Sequence, residues 1–262
     1  MTAFLSALWV ETLKARRSPV SILSVAGFSI LPATAGLFMV ILKNPDQARA
    51  LGIIGLKARL AAATADWPTF YLMLTQGAAI GGAIILAIVT AWVFGREFAN
   101  RTAKEWLALP TPRALIIVAK LALLAIWALA LMLSVFVEAL VVGTLVDIPG
   151  ATVGLHTATF VTLLGICLLD YLLMPFVALA ASLGRGYLPA VGWAILTTVF
   201  AQIAVVLGRG DWFPWSVPPL FSGMAGPPSE QLGTYSYIVV FVTFILGAAL
   251  TLVWWRTADH AK

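Results

Sequence analysis

The arrangement of the chain is decided by one charged stretch, GREFANRTAKEWLALPTPR, which runs from Gly95 to Arg113. The sequence on both sides of it is apolar over lengths that can cross the hydrocarbon core of a membrane, which takes about 20 residues of helix. A short charged loop between two such runs is the place where a membrane protein meets something in water. What binds there is therefore the central question about function.

The composition of the whole chain indicates a membrane protein. Of its 262 residues, 61% are hydrophobic and only 10% are charged, whereas a soluble domain carries about 25% charged residues. One water-soluble core could not bury that much apolar surface. The formal net charge of +5 is interpreted as a sign of membrane topology, and nucleic acid is not expected as a partner.

Six apolar runs predict an all-α, polytopic membrane protein, with residues 1–262 forming a single transmembrane domain. The predicted transmembrane helices lie near Ser21–Leu42, Phe70–Phe94, Leu121–Val142, Thr157–Ala181, Tyr187–Leu207 and Tyr237–Trp255.

The distribution of basic residues predicts the orientation. An even number of spans puts both termini on one side, and most of the sixteen Lys and Arg residues fall on that side. Since Lys and Arg concentrate in cytoplasmic loops, both termini and the charged stretch are predicted to lie in the cytoplasm. The basic residues on that side are Lys14, Arg16, Arg17, Arg96, Arg101, Lys104, Arg113, Lys120, Arg185, Arg256 and Lys262.

The N-terminal residues 1–19 are predicted to form an amphipathic helix on the cytoplasmic membrane surface. At helical spacing, Leu5 and Trp9 fall on an apolar side, whereas Glu11, Lys14 and Arg17 fall on a polar side. The alternative is a frayed terminus that serves only as a positively charged anchor.

Two further segments are predicted outside the membrane on the opposite, outer side. Residues 43–69 form a first outer loop, and Asp66-Trp67-Pro68 marks the return of the chain to the membrane. Residues 208–236 form a last outer segment rich in Gly, Pro and Trp. The sequence leaves open whether that segment dips into the membrane or lies on it.

Within the charged stretch, Thr102-Ala103-Lys104-Glu105 fits a capping box, in which Thr and Glu each satisfy the other's backbone N–H. A short helix is predicted from there through Leu109. Pro110 discourages its continuation, and Pro112 is predicted to prevent a restart within the next turn. Taken as structure alone, this is an ordinary capped helix between two spans.

The order of residues around this helix resembles the permease subunit of type-2 ABC exporters, particularly the small six-span kind associated with bacitracin and lantibiotic resistance. The pattern is an acid at the end of the second span, a Thr, a short apolar helix with Leu-x-x-Pro-x-x-Arg, and a Lys that opens the third span. Here these residues are Glu97, Thr102, Leu107, Leu109, Pro110, Arg113 and Lys120.

The resemblance implies that residues 95–113 contain a cytoplasmic coupling helix that binds in a groove of a separate ABC ATPase subunit. It also implies two ATPase copies and a second permease, either another copy or a sister chain, with ATP and Mg²⁺ bound by the ATPase. The residues expected to serve ATPase coupling are Arg96, Glu97, Arg101, Thr102, Lys104, Glu105, Trp106, Pro110 and Arg113.

The sequence itself offers no chemistry for the chain to act alone as an enzyme. It contains no Gly-x-x-x-x-Gly-Lys-Ser/Thr loop to hold the phosphates of ATP. No catalytic set is recognisable, and the His, Asp and Glu residues lack metal-ligand spacing. No cofactor or metal site is expected in this chain, which argues against a third class, a membrane-embedded enzyme acting on lipid.

Four polar residues inside the predicted spans are candidates for a translocation path: Gln76, Glu138, Asp170 and Gln202. A charge at mid-bilayer costs about 2.5–3.5 kcal/mol on insertion scales, so Asp170 and Glu138 need a partner, a proton or water. The alternative is that these groups make hydrogen bonds between helices. A second class of function, an ion- or proton-coupled transporter using Asp170 and Glu138, also stays open.

Overall fold

A computed structural model describes residues 3–43, 64–100, 102 and 112–257, and every regular element in these ranges is helical. In chain order the helices are α1 (Ala3–Arg16), α2 (Pro19–Lys43), α3 (Trp67–Ala99), α4 (Arg113–Leu145), α5 (Val153–Leu183), α6 (Tyr187–Val206), α7 (Val217–Phe221), α8 (Pro228–Gln231) and α9 (Thr234–Thr257).

Within the described residues, six helices are long and apolar enough to cross a membrane: α2 to α6 and α9. This confirms the six predicted spans. Helices α3 and α4 have 33 residues each, which corresponds to about 50 Å at 1.5 Å per residue. Because the hydrocarbon core is only about 30 Å thick, both helices extend beyond it.

Helix α4 begins eight residues before the predicted span, at Arg113, directly after Pro112. The prediction that Pro112 prevents a helix from restarting within the next turn is therefore wrong. Pro112 lies outside the helix at the N-cap, with φ −56° and ψ 131°. A proline there removes no intrahelical hydrogen bond, because the first backbone N–H groups of a helix have no intrahelical acceptor.

Three helices form the interior of the bundle. Helices α3, α4 and α5 are the most buried of the six spans, whereas α2, α6 and α9 lie outside them. Helix α5 packs against α3, α4, α6 and α9, and α2 packs against α4. Helix α1 also packs against α4, so the N-terminal helix is part of the folded bundle.

The side chains of α1 are arranged differently from the prediction. The helix is present, but Glu11, predicted on the water-facing side, is only 4% exposed, and Ala15 is buried beside it. Leu5 and Trp9 are exposed. Helical spacing predicted that Glu11 lies on a polar, water-facing side. In the structure Glu11 faces inward, because its charge has a buried partner that decides the orientation of the helix.

The start of α3 and the end of α4 meet at an indole ring. Asp66 caps α3 by accepting a hydrogen bond from the backbone N–H of Thr69 at 2.9 Å, which confirms that the chain returns to a span at Asp66-Trp67-Pro68. The Trp67 ring lies against Gly143 of α4, where an added Cβ would be 2.1 Å from the ring atom Cη2. Only glycine allows α3 and α4 to approach this closely.

The last outer segment folds back onto the bundle. Two 3₁₀ turns, Gly210–Trp212 and Pro214–Ser216, lead into α7, where Val217 and Leu220 are buried. Helix α7 packs against α5 and against a π-helical turn of α3, Ala78–Gly82. The segment therefore covers part of two interior helices, α3 and α5.

We predict that Gly143→Ala lowers the thermal unfolding temperature of the detergent-solubilised protein, because overpacking a tight contact costs about 1–3 kcal/mol. Gly192→Ala is the matched control, since a Cβ at Gly192 meets nothing within 4 Å and alanine favours helix. Its unfolding temperature should stay level or rise. Equal unfolding temperatures for the two variants would contradict the predicted role of the Trp67–Gly143 contact.

Candidate functional site

A lysine lies fully buried beside the charged stretch. Lys120 of α4 has 0% exposure. Its Nζ donates three hydrogen bonds, to Glu11 Oε2 at 2.8 Å, Glu97 Oε1 at 2.8 Å and the carbonyl oxygen of Val93 at 2.7 Å. An ammonium group has three donors, so each of them has an acceptor.

The acceptors come from two other helices. Glu11 lies on α1, and Val93 and Glu97 lie in the last two turns of α3, where the charged stretch begins. Lys120 lies in the third turn of α4, directly after that stretch. Lys120 therefore connects the two helices that flank residues 95–113 and joins both to the N-terminal helix.

Two more cations surround the carboxylates. Lys14 Nζ donates to Glu11 Oε1 and lies 3.7 Å from Glu97 Oε1. Arg96 Nε also lies 3.7 Å from Glu97 Oε1, and its guanidinium is 4.7 Å from the centroid of the Trp92 ring. We call Glu11, Lys14, Arg96, Glu97 and Lys120 the lysine cluster. The two negative charges of Glu11 and Glu97 neutralise the charge of Lys120 and the charge of one further cation at the edge of the cluster.

The energetics of such a cluster are asymmetric. Bringing charges out of water costs several kcal/mol per ion, which good geometry and hydrogen bonds offset. Removing one partner leaves an uncompensated buried charge and costs roughly 3–5 kcal/mol. The cluster thus fixes how α1, α3 and α4 are arranged, whatever its net contribution to stability.

The titration of Glu11 reflects this environment. Burial alone would raise the pKa of the Glu11 carboxyl, but the charges and hydrogen bonds of Lys120 and Lys14 outweigh burial and hold this pKa below its ordinary value of 4.5. Glu11 is therefore ionised at neutral pH, as the ion pairs require.

The described ends of the charged stretch are also held by hydrogen bonds. Just after the end of α3, Thr102 donates two hydrogen bonds to the carbonyl oxygen of Glu97, one from its backbone N–H (2.9 Å) and one from its hydroxyl (3.4 Å). At the end of the stretch, Arg113 Nη1 donates to the carbonyl oxygen of Trp255 in α9 at 3.3 Å. The segment thus leaves α3 and enters α4 at defined positions.

The structure brings Arg96 and Glu97 together with Lys120, and it places Thr102 just after α3 and Arg113 at the start of α4. Glu97 is 2% exposed, so it can act on a partner only through the residues around it. The capping box and short helix lie outside the described residues, with the remaining predicted coupling residues Arg101, Lys104, Glu105, Trp106 and Pro110.

Sequence reasoning missed the centre of the cluster. In the sequence, Lys120 and Lys14 served only to predict the orientation, the family pattern and a polar helix side, and Glu11 only to predict that side. One signal was available, because Lys120 is the single charge between Arg113 and Glu138. A lysine inside so long an apolar run needs a buried acid as its partner.

The four path candidates fall into two groups. Asp170 and Gln202 line one cavity between the spans, whereas Gln76 and Glu138 are not among its lining residues. Gln76 and Glu138 are both half-buried. The role of these four residues in a translocation path stays a prediction.

The fold defines a multi-pass membrane protein whose second and third spans are joined at a charged segment between them. The sequence model for "ABC-2 family transporter protein" matches residues 7–201, so the chain belongs to this family and is a permease subunit of an ABC transporter. It is 31% identical over 187 residues to the "Bacitracin transport permease protein BCRB" of Bacillus licheniformis, covering 68% of this chain and 85% of that protein. Membership of the family implies an ABC ATPase as partner.

We predict that Lys120→Met destabilises the protein by roughly 3–5 kcal/mol, because it leaves two buried carboxylates without their counter-ion. The triple variant Lys120→Met/Glu11→Gln/Glu97→Gln should recover most of that loss, since no buried charge then remains unpaired. Thermal unfolding in detergent measures both effects, with Arg17→Met, which removes an exposed charge directly after α1, as the control. A triple variant no more stable than Lys120→Met would argue against charge compensation as the cause.

We predict that acid weakens the attachment of α1. Because the pKa of Glu11 is lowered on folding, its contribution to stability is complete above about pH 4.5 and is lost as the pH falls through the lowered pKa. Unfolding temperatures measured from pH 7 down to about pH 3 should show this loss, and Glu11→Gln should make the decline shallower. Glu230→Gln, which changes an exposed acid, should keep the wild-type profile; a wild-type profile for Glu11→Gln would contradict the prediction.

Proposed function

We propose that this chain is the non-catalytic membrane subunit of an ATP-driven exporter, and that a separate ATPase subunit binds it at residues 95–113 on the cytoplasmic side. ATP and Mg²⁺ then belong to the ATPase. Two ATPase copies serve two permeases, the second being another copy of this chain or a sister chain. In this orientation both termini are cytoplasmic.

The lysine cluster is the observation that carries this proposal. Residues 95–113 leave α3 and enter α4 next to a buried ammonium that bonds to both helices and to α1. A force applied to the segment therefore moves two membrane spans and the N-terminal helix together. A loosely held loop would absorb a motion of the ATPase, whereas a rigidly held one transmits it.

The family supports the rest of the mechanism. An ABC permease draws on ATP hydrolysed elsewhere, and this chain lacks a phosphate-binding loop of its own. The similar protein from Bacillus licheniformis is named for bacitracin transport. We infer that the substrate of this chain is an amphipathic or hydrophobic molecule of that kind, such as a peptide antibiotic, a drug or a lipid-like compound.

The first test is whether an ATP-hydrolysing chain co-purifies with the tagged permease from its native membranes. We expect co-purification, and we expect it to be lost when residues 102–109 are replaced by a Gly-Ser linker of equal length. The matched control is Gly192→Ala, on the remote helix α6. Retention of the ATPase by the linker variant would show that it docks elsewhere.

The second test concerns coupling. In inside-out vesicles with ATP and bacitracin as the probe, Glu97→Gln should lower bacitracin uptake several-fold while ATP hydrolysis continues, since the charged bond between α3 and α4 is lost. Normal uptake by Glu97→Gln would reject the coupling role. Uptake that needs an ion gradient but no ATP would favour the ion- or proton-coupled alternative. If the ATPase binds but bacitracin is not taken up, only the proposal about the substrate is rejected.

A further inference from the structure

A small cavity lies between α3, α5 and α6, beneath the last outer segment. Its volume is about 30 Å³, and Trp215, Pro218 and Pro219 of the outer segment form one of its walls. By this measure, the space open to the centre of a water-sized group, about 10–15 Å³ is enough to hold one water molecule. The cavity therefore has room for a small group and is far below the about 300–1,000 Å³ of a typical ligand pocket.

The cavity contains a buried acid without a partner. Asp170 of α5 is 2% exposed, and its Oδ1 accepts no hydrogen bond from any residue that the structure describes. No lysine, arginine or histidine is among the described residues that line the cavity. The contrast with the lysine cluster is direct, because there every buried carboxylate has a cation within 3 Å.

Two threonines add hydrogen-bond acceptors to the cavity, which is also lined by Gln202, whose amide both donates and accepts. The hydroxyl of Thr197 donates to the carbonyl oxygens of Trp193 and Ala194, and that of Thr198 donates to Ala194. Both hydroxyls use their only hydrogen within α6 and can offer only lone pairs to the cavity. A carboxylate and two hydroxyl oxygens together favour a ligand that donates hydrogen bonds and carries positive charge.

Two features of the cavity lining favour the binding of a group that enters from outside. The wall opposite Asp170 includes Ala79 and Ile80, from the π-helical turn of α3, and such turns occur frequently at functional sites. Gln202 lines the cavity and is exposed on α6. A molecule on the exposed face of α6 could therefore insert a small group past Gln202 while the rest of it stays outside.

We propose that this cavity binds the primary ammonium group of a cationic amphipathic substrate, with Asp170 as its counter-ion. An ammonium is a compact charge with three donors, whereas a guanidinium is a larger planar group. It matches the size of the cavity and supplies the donors that the acceptors lack. The proposal rests on the function proposed above and narrows its substrate to molecules that carry an amine.

A cysteine reporter at the mouth of the cavity tests the proposal without a known substrate. Cys167, the single native cysteine, is replaced by Ser, and Gln202→Cys is labelled with the neutral reagent methyl methanethiosulfonate in proteoliposomes. Methylammonium chloride should slow the labelling of the cysteine. In Asp170→Asn, the methylammonium concentration that gives the same protection should rise by about tenfold or more, because a charge-assisted contact is lost. Glu230→Gln, which removes an exposed acid that does not line the cavity, is the matched control.

Each outcome is decisive for the proposal. Protection by methylammonium that depends on Asp170 and is absent with tetramethylammonium supports it. The proposal is overturned by equal protection in Asp170→Asn or by no protection at all. It is also overturned if sodium or potassium protects at a lower concentration than methylammonium, which would indicate a site for free cations. Co-purification of the ATPase is measured separately, so loss of protection alone would leave the proposed function intact.

Discussion

The arrangement of the predicted cytoplasmic end follows from one requirement, that a buried ammonium group must be surrounded by acceptors. Lys120 cannot reach water, so Glu11, Glu97 and the carbonyl of Val93 supply the bonds that water would otherwise make. These acceptors belong to two other helices. The position of α1 and the relative position of α3 and α4 are consequently set by the same side chain.

Helices α3 and α4 are also joined at the other end, where Trp67 lies against Gly143. Lys120 and Gly143 are separated by roughly 35 Å along α4, counting 1.5 Å per residue. Two helices held at points this far apart resist rotation about a single contact. Because α3 also contributes Ala79 and Ile80 to the Asp170 cavity, movement at the charged segment would reach that cavity through one rigid unit.

The sequence predicted what depends on local composition and missed what depends on distant pairing. The six spans follow from apolar runs, and the start of α3 follows from the cap at Asp66. The bond between Lys120 and Glu11 joins residues 109 positions apart, and no periodicity within α1 reports it. Pro112 was misjudged for a related reason, since a proline that cannot continue one helix can still precede the next.

The π-helical turn in α3 determines how the two ends of that helix are rotated relative to each other about its axis. A π turn contains one residue more than an α turn, and one residue rotates a helix face by about 100°. Deleting a single residue within 78–82 would restore regular α geometry and turn Trp67 and Asp66 around the axis relative to Glu97. The position of that extra residue therefore sets the rotation between the Trp67–Gly143 contact at one end of α3 and the ion pair of Glu97 at the other.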